Sequence, residues 1–223
     1  MANRDNDNRA ALLEQAIRLK KAAAGSVAPG IPQRPPDEPV LLSEMQRSLW
    51  LAHQMDRHSP AYNLASAFRA RDVVDVSRLE RAFNTVVSRH RVLRSTFVAD
   101  RDSVLQIVHP HSPLGVDVFA VGEGEATAAA VEEARRPFDL ETGPLIRLQL
   151  IEDAAGGERI LLLVLHHILA DERSLAMLWR ELADASDDRP TPAAPAVQFD
   201  DYLHWLQQRD PDDQIRELEY WRR

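Results

Sequence analysis

An α/β architecture, a two-layer sandwich with helices packed on a mixed sheet, follows from three features of the chain. Residues 77–90 (SRLERAFNTVVSRH) repeat Leu79, Phe83, Val86, Val87 and His90 at helical spacing. Residues 62–71 (YNLASAFRAR) alternate instead, with Tyr62, Leu64, Ser66 and Phe68 on one face, as a half-buried strand does. Residues 159–166 (RILLLVLH) are apolar almost throughout, which predicts a central strand covered on both faces.

Along the chain, residues 8–24 carry Leu12, Leu13, Ala16, Ile17 and Ala24 on one side and predict an amphipathic helix too short to be stable alone. Five prolines between residues 25 and 39 then enforce a stiff, extended linker. Residues 1–38 therefore read as an appendage, a candidate docking segment, and 39–223 as the globular domain. Within that domain, helices are expected at 43–55 and at 77–90, the latter capped by Ser77. Strands are expected at 62–71 and 104–110, and a weaker one at 116–119. A helix over 126–136 should stop at Pro137. Strands 145–151 and 159–166 flank a turn of Gly, Asp and Ala, and helices follow at 174–185, 199–209 and 214–223. Trp50, Trp179, Trp205 and Trp221 all fall in amphipathic helices, where core packing is their expected work.

Composition narrows the chemistry. Apolar residues make up 44% of the 223 and charged residues 28%, as in folded globular domains. A formal charge of −8 opposes binding to nucleic acid, whose affinity rests on Lys and Arg meeting phosphates. No apolar run is long enough to span a bilayer and the start lacks a signal-peptide core, so no membrane partner and a cytoplasmic location are expected. Cysteine is absent, which excludes disulfides, thiolate metal sites and a Cys nucleophile. Catalysis would have to come from His, carboxylates, hydroxyls or the backbone.

The apolar strand runs out into HHILADE. Adjacent strand residues point to opposite faces, so His166 and His167 cannot both line one pocket or chelate one metal. One faces the core; the other, at the tip of a rigid strand, can offer an imidazole to a cleft for proton transfer. Asp171, entering the next helix, can cap backbone N–H groups or pair with a buried arginine. By itself such a cluster serves structure more often than catalysis. His109 and His111 flank prolines in a loop, with no carboxylate to complete a metal site.

Four ordered segments sharpen this reading. His166, His167 and Asp171 match an HHxxxDG pattern, and LLSEMQRSLWLAHQ at 41–54 supplies Ser43, Gln46, Arg47, Leu49 and Trp50. RHRVLRSTF at 89–97 matches RHExLRTxF at Arg89, His90, Leu93, Arg94 and Phe97, with Arg91 in place of the acid. PFDLETGPLIRLQL at 137–150 follows a PFDLxxGPLxR pattern. Together they resemble the condensation domains of nonribosomal peptide synthetases, within the chloramphenicol acetyltransferase-like superfamily, and cover the N-terminal one of that family's two lobes.

The resemblance implies a chloramphenicol acetyltransferase-like single lobe. In such domains an acyl group arrives as a thioester on the phosphopantetheine of a donor carrier protein, and the amine of a carrier-bound acceptor attacks it. His167 would take or position the amine's proton. His166 and Asp171 would be structural, the aspartate bonding an arginine such as Arg89 or Arg94. No cofactor is expected to bind directly, and no metal. Expected partners are donor and acceptor carrier proteins and a complementary C-terminal lobe or neighbouring synthetase, with a homodimer as a further outcome of the uncovered lobe face. One departure stands at the active site: Glu172 replaces the motif's glycine, so either the backbone constraint is absent or a carboxylate reaches into the channel. Two alternatives remain open, an O-acyltransferase of the same superfamily and a non-catalytic module that docks a carrier protein or partner synthetase.

Overall fold

The near-continuous apolar segment forms an inner strand, paired along both of its edges. In the computed structural model, which describes residues 30–35, 38–101, 103–154, 156–187, 189, 193–209 and 222, the chain divides after Pro32 into two compact units. The described helices and strands all belong to the second. In order they are β1 (Val40–Leu41), α1 (Glu44–Met55), β2 (Asn63–Arg69), α2 (Val76–Arg89), a 3-10 turn (Arg91–Arg94), β3 (Ser95–Asp100), β4 (Ser103–Val108), β5 (Asp117–Val121), α3 (Ala126–Arg135), β6 (Ile146–Asp153), β7 (Arg159–His166), α4 (Glu172–Ser186) and α5 (Phe199–Gln207).

Strands β2, β7, β6 and β5 make a mixed sheet in that order: β7 is antiparallel to both neighbours and β5 is parallel to β6. Strands β1, β4 and β3 form a second, antiparallel sheet. The register sorts β7 by face. Leu161, Leu163 and Leu165 lie beside Phe68, Ser66 and Leu64 of β2, and Phe68 meets Trp179 of α4 edge-on with ring centres 4.8 Å apart. Leu162, Val164 and His166 lie beside Gln149 and Arg147 of β6 or Ala67, Ala65 and Asn63 of β2, the side on which Arg147 and Asn63 donate to carbonyls of α3 and its end. Leu162, Val164 and Leu165 are at most 2% exposed, so burial on both faces holds.

Local chemistry sets the helix starts. Ser43 and Gln46 form a reciprocal capping box at α1. Asp75, rather than the expected Ser77, caps α2 by accepting from Arg78 N–H at 3.0 Å, which starts the helix at Val76. Apolar residues of α2 (Phe83, Val86, Val87) and α4 (Leu175, Leu178, Leu182) share one core with the sheet. The helices expected at 8–24 and 214–223 lie outside the described residues.

Candidate active site

His166 and His167 are held from opposite edges of β7. His166 N–H donates to Leu145 O on the β6 side at 3.0 Å, and His167 N–H donates to Tyr62 O on the β2 side at 2.8 Å. The chain then turns, with Leu169 N–H returning to His166 O. Asp171 ends the turn as the N-cap of α4, accepting from the Ser174 N–H at 2.8 Å and the Ser174 hydroxyl at 2.6 Å. These bonds, Ser174 Oγ first, pull the Asp171 carboxyl below the usual range.

The His167 ring is oriented by the same turn. Its Nδ1 lies 2.8 Å from Ala170 O. A carbonyl only accepts, so Nδ1 carries the hydrogen and the neutral ring keeps its lone pair on Nε2. His167 lines a cleft of about 540 Å³ between β2 and α4, together with Leu64, Ser66, Phe68, Glu172 and Trp179. Its side chains bring one imidazole, one carboxylate, a hydroxyl and the indole N–H of Trp179, with apolar residues between them.

His166 occupies the other environment. It is 3% exposed, its Nδ1 accepts from Ile168 N–H at 3.1 Å, and His53, Tyr62 and Phe138 surround its ring. Burial, with the nearby imidazoles of His53 and His167 adding to it, pushes its pKa down to about 4, which keeps it neutral. The pKa of His53 is also lowered, by burial first and then by Arg57.

The arginines do not do what was expected of them. Asp171 pairs with neither Arg89 nor Arg94, because its carboxylate is committed to the helix start. Arg89 Nε instead lies 3.3 Å from Glu181 of α4, beside His90 Nε2 at 2.8 Å from the same carboxylate, so this pair fastens the end of α2 to α4. Arg94 donates to His109 O and so braces β3 against the residues after β4. Burial lowers its pKa, and Arg91 adds to the effect.

Other motif residues act as supports. Gln46, 4% exposed, donates from Nε2 to Ile168 O at 3.1 Å, tying the α1 start to the residue after His167. Arg147 stands 3.9 Å over the Phe138 ring and donates to the carbonyls of Glu133, Arg136 and Pro137, which pins the PFDL segment. Burial brings its pKa down to about 10. The cleft walls Ser66, Phe68 and Trp179 were not recognisable as site residues, since alternation gives their face but not what lies opposite. Among the described residues no three His, Asp or Glu side chains cluster as a metal site, and no helix is long and apolar enough to cross a membrane.

These residues place one imidazole at a strand tip beside a cleft, its Nδ1 bound to Ala170 O, with a second imidazole buried behind it and a helix-capping aspartate after it. The family model described as the condensation domain matches residues 37–223, and the chain belongs to that family. It is 34% identical over 218 residues to chondramide synthase cmdD of Chondromyces crocatus, which takes in 92% of this chain and 6% of that one. It is 33% identical over 222 residues to the phosphinothricin tripeptide synthetase PhsC of Streptomyces viridochromogenes, 92% of this chain and 20% of the relative. The crystal structure of the X-domain from teicoplanin biosynthesis superposes with a TM-score of 0.74 at 30% identity, covering 87% of this chain and 45% of that one. The same domain in complex with OxyB gives 0.72 at 31%, covering 81% and 40%. The chain thus spans less than half of each solved domain and a small fraction of each synthetase.

Proposed function

We propose that the chain is the N-terminal lobe of a condensation domain that joins a carrier-bound acyl or peptidyl donor to a carrier-bound aminoacyl acceptor by an amide bond, with His167 as the residue that handles the amine's proton. The observation that carries this reading is the Nδ1–H bond to Ala170 O, which leaves Nε2 basic at a residue lining a cleft. The acceptor amine is itself the nucleophile, so no covalent enzyme intermediate is needed. Nδ1–H and Nε2 together let the ring accept a proton without turning. His166, neutral and buried, supports the strand tip, and Asp171 starts α4 at the depth that brings Glu172 to the cleft. The phosphopantetheine arms belong to donor and acceptor carrier proteins, the chain's partners in this scheme, and the reaction would take place in the cytoplasm. A complementary C-terminal lobe would close the cleft, exclude water and complete the orientation that acyl transfer requires. In its absence the exposed apolar face around Phe68 would favour a homodimer, which light scattering against concentration measures.

A second reading, a docking module without catalysis, draws on one observation: the solved X-domain in complex with OxyB is 31% identical to this chain. The deciding experiment supplies defined carrier-bound donor and acceptor to the chain with its complementary lobe and follows amide formation. Product that depends on both lobes supports catalysis. Binding of carrier or partner protein without product supports docking.

A further inference from the structure

We propose that Glu172 is a substrate-selecting residue: its carboxylate shares the β2–α4 cleft with His167, holds the acceptor's amine as ammonium, and stabilises the positive nitrogen formed on attack. The cleft therefore takes amines in preference to alcohols. This rests on the acyl-transfer reading and adds the residue that selects the acceptor.

Three observations support it. First, nothing in the backbone asks for the family's glycine at this position. Asp171 is extended (φ −101°, ψ 179°), Glu172 opens a right-handed helix, and Arg101 is the one non-glycine among the described residues with positive φ. The position is free to carry a side chain. Second, of the nine residues that line the cleft, Glu172 and His167 are the two that ionise; Ser66 adds a hydroxyl and Trp179 an indole N–H, and the other five side chains are apolar. Third, the neighbouring Asp171 is used by Ser174, whereas among the described residues the Glu172 carboxylate takes part in no hydrogen bond or ion pair. A carboxylate without an internal partner, beside a basic imidazole and apolar walls, is matched to a ligand that brings both a cation and protons.

The chemistry uses both groups. An amine reaches the site at neutral pH as ammonium, attracted by Glu172. It gives one proton to His167 Nε2, from which the proton passes to solvent, and the freed nitrogen lone pair attacks the thioester carbonyl. The new C–N bond leaves a positive nitrogen and an oxyanion on the tetrahedral carbon, and Glu172 stabilises the former. Loss of the second N–H proton to His167, with cleavage of the C–S bond, yields the amide, and the departing thiolate takes that proton to leave as thiol. Glu172 gains and loses no atoms. An alcohol carries no cation at the first step, so it receives none of the binding.

The test uses the full chain, with the alanyl and the lactyl thioesters of N-acetylcysteamine as probes, which differ by ammonium against hydroxyl. The His167 ring resonances, assigned by their loss in His167→Ala, report arrival at the cleft. The alanyl probe is expected to bind about tenfold more tightly than the lactyl probe, as a charge-assisted contact implies. Glu172→Gln should bring the two to parity by weakening the alanyl probe alone, and Glu172→Asp should restore part of the preference. Equal affinities in the unaltered chain, or a preference that survives Glu172→Gln, overturn the role of Glu172 and leave acyl transfer standing. If neither probe shifts the His167 ring, the role of Glu172 falls, and acyl transfer is decided separately by the two-lobe assay.

Discussion

Arg91 Nε lies 3.0 Å from the carboxylate of Asp200, a side chain with none of its surface exposed. The pairing accounts for the reversed charge in the RHExLR-like segment. Where that pattern has an acid, this chain has a guanidinium, and the matching acids stand on α5: Asp200, and Asp201 at 2.6 Å from Arg91 Nη2. Arg34 joins the same cluster, its Nε 3.4 Å from Asp200 and its backbone N–H 2.9 Å from Asp201. Burial alone would raise the Asp201 carboxyl, but hydrogen bonds from the Arg34 and Gln198 backbones, with Arg91 beside them, hold it below the usual range. The cluster fastens the segment before β1, the 3-10 turn and α5 together.

Removing one acid of the cluster leaves the two arginines to share Asp201 and upsets the balance of a buried group of charges. Asp200→Asn should therefore cost about 3 kcal/mol in urea unfolding, near the low end for broken buried pairs, because Arg91 is partly exposed. Arg91→Glu, which restores the family's acid beside two buried acids, should cost at least as much. A loss under about 1 kcal/mol for both would show that the cluster contributes little.

Stability should fall with acid through His166. Its pKa is about 4 folded against 6.5 for the free side chain, so below pH 6.5 the unfolded chain takes up a proton that the folded one refuses. The stability from this group is complete above pH 6.5, declines between 6.5 and about 4, and amounts to about 3 kcal/mol. The lowered carboxyls of Asp171 and Asp201 add losses of the same sign at lower pH. Urea unfolding at pH 7.5 and 4.5 should show a smaller difference for His166→Gln than for the unaltered chain; equal differences would assign the acid sensitivity elsewhere.

These groups show how far the sequence could be read. The period of 77–90, the alternation of 62–71 and the apolar run of 159–166 each report their own burial, and all three elements form where expected. The opposed environments of His166 and His167 followed from strand geometry alone. Strand β3 went unread because Ser95–Asp100 is a short element without clear alternation, and the division of the strands between two sheets is a matter of long-range pairing that local pattern does not encode. The arginine partners were misread for the same reason: Glu181 lies 92 residues beyond Arg89 in the chain, and only the packing of α2 on α4 brings them together. Asp171 had two physically sound uses, cap and ion pair, and the choice depended on Ser174 being three residues on.

Gln46 should prove a positioning residue for the site. Gln46→Leu keeps the volume but leaves Ile168 O and Ser43 N–H without their partner, for a cost of about 1–3 kcal/mol. Because Ile168 adjoins His167, the substitution should also shift the His167 ring resonances, whereas a purely local cap would leave them in place. Unmoved His167 signals together with unchanged stability would remove Gln46 from the site.

The two histidines should respond oppositely to truncation. His167 lies half-buried at the cleft, and its removal takes away the nitrogen proposed to carry the proton while disturbing one bond, Nδ1–H to Ala170 O. His167→Ala in the assembled two-lobe domain should accordingly lower the single-turnover rate of amide formation about 10²- to 10⁴-fold, the range for a lost general base, with a melting temperature close to that of the unaltered protein. His166 contributes packing among His53, Tyr62 and Phe138 and an acceptor for Ile168 N–H. His166→Ala should therefore lower stability by about 1–3 kcal/mol, as other buried hydrogen-bonded groups do. Its rate in the fraction that stays folded should fall less than that of His167→Ala. The rates come from rapid quench with preloaded carriers, and the folded fraction from circular dichroism on the same samples. A folded His167→Ala domain turning over at the full rate would remove proton transfer from His167 and leave it a role in holding the turn to α4.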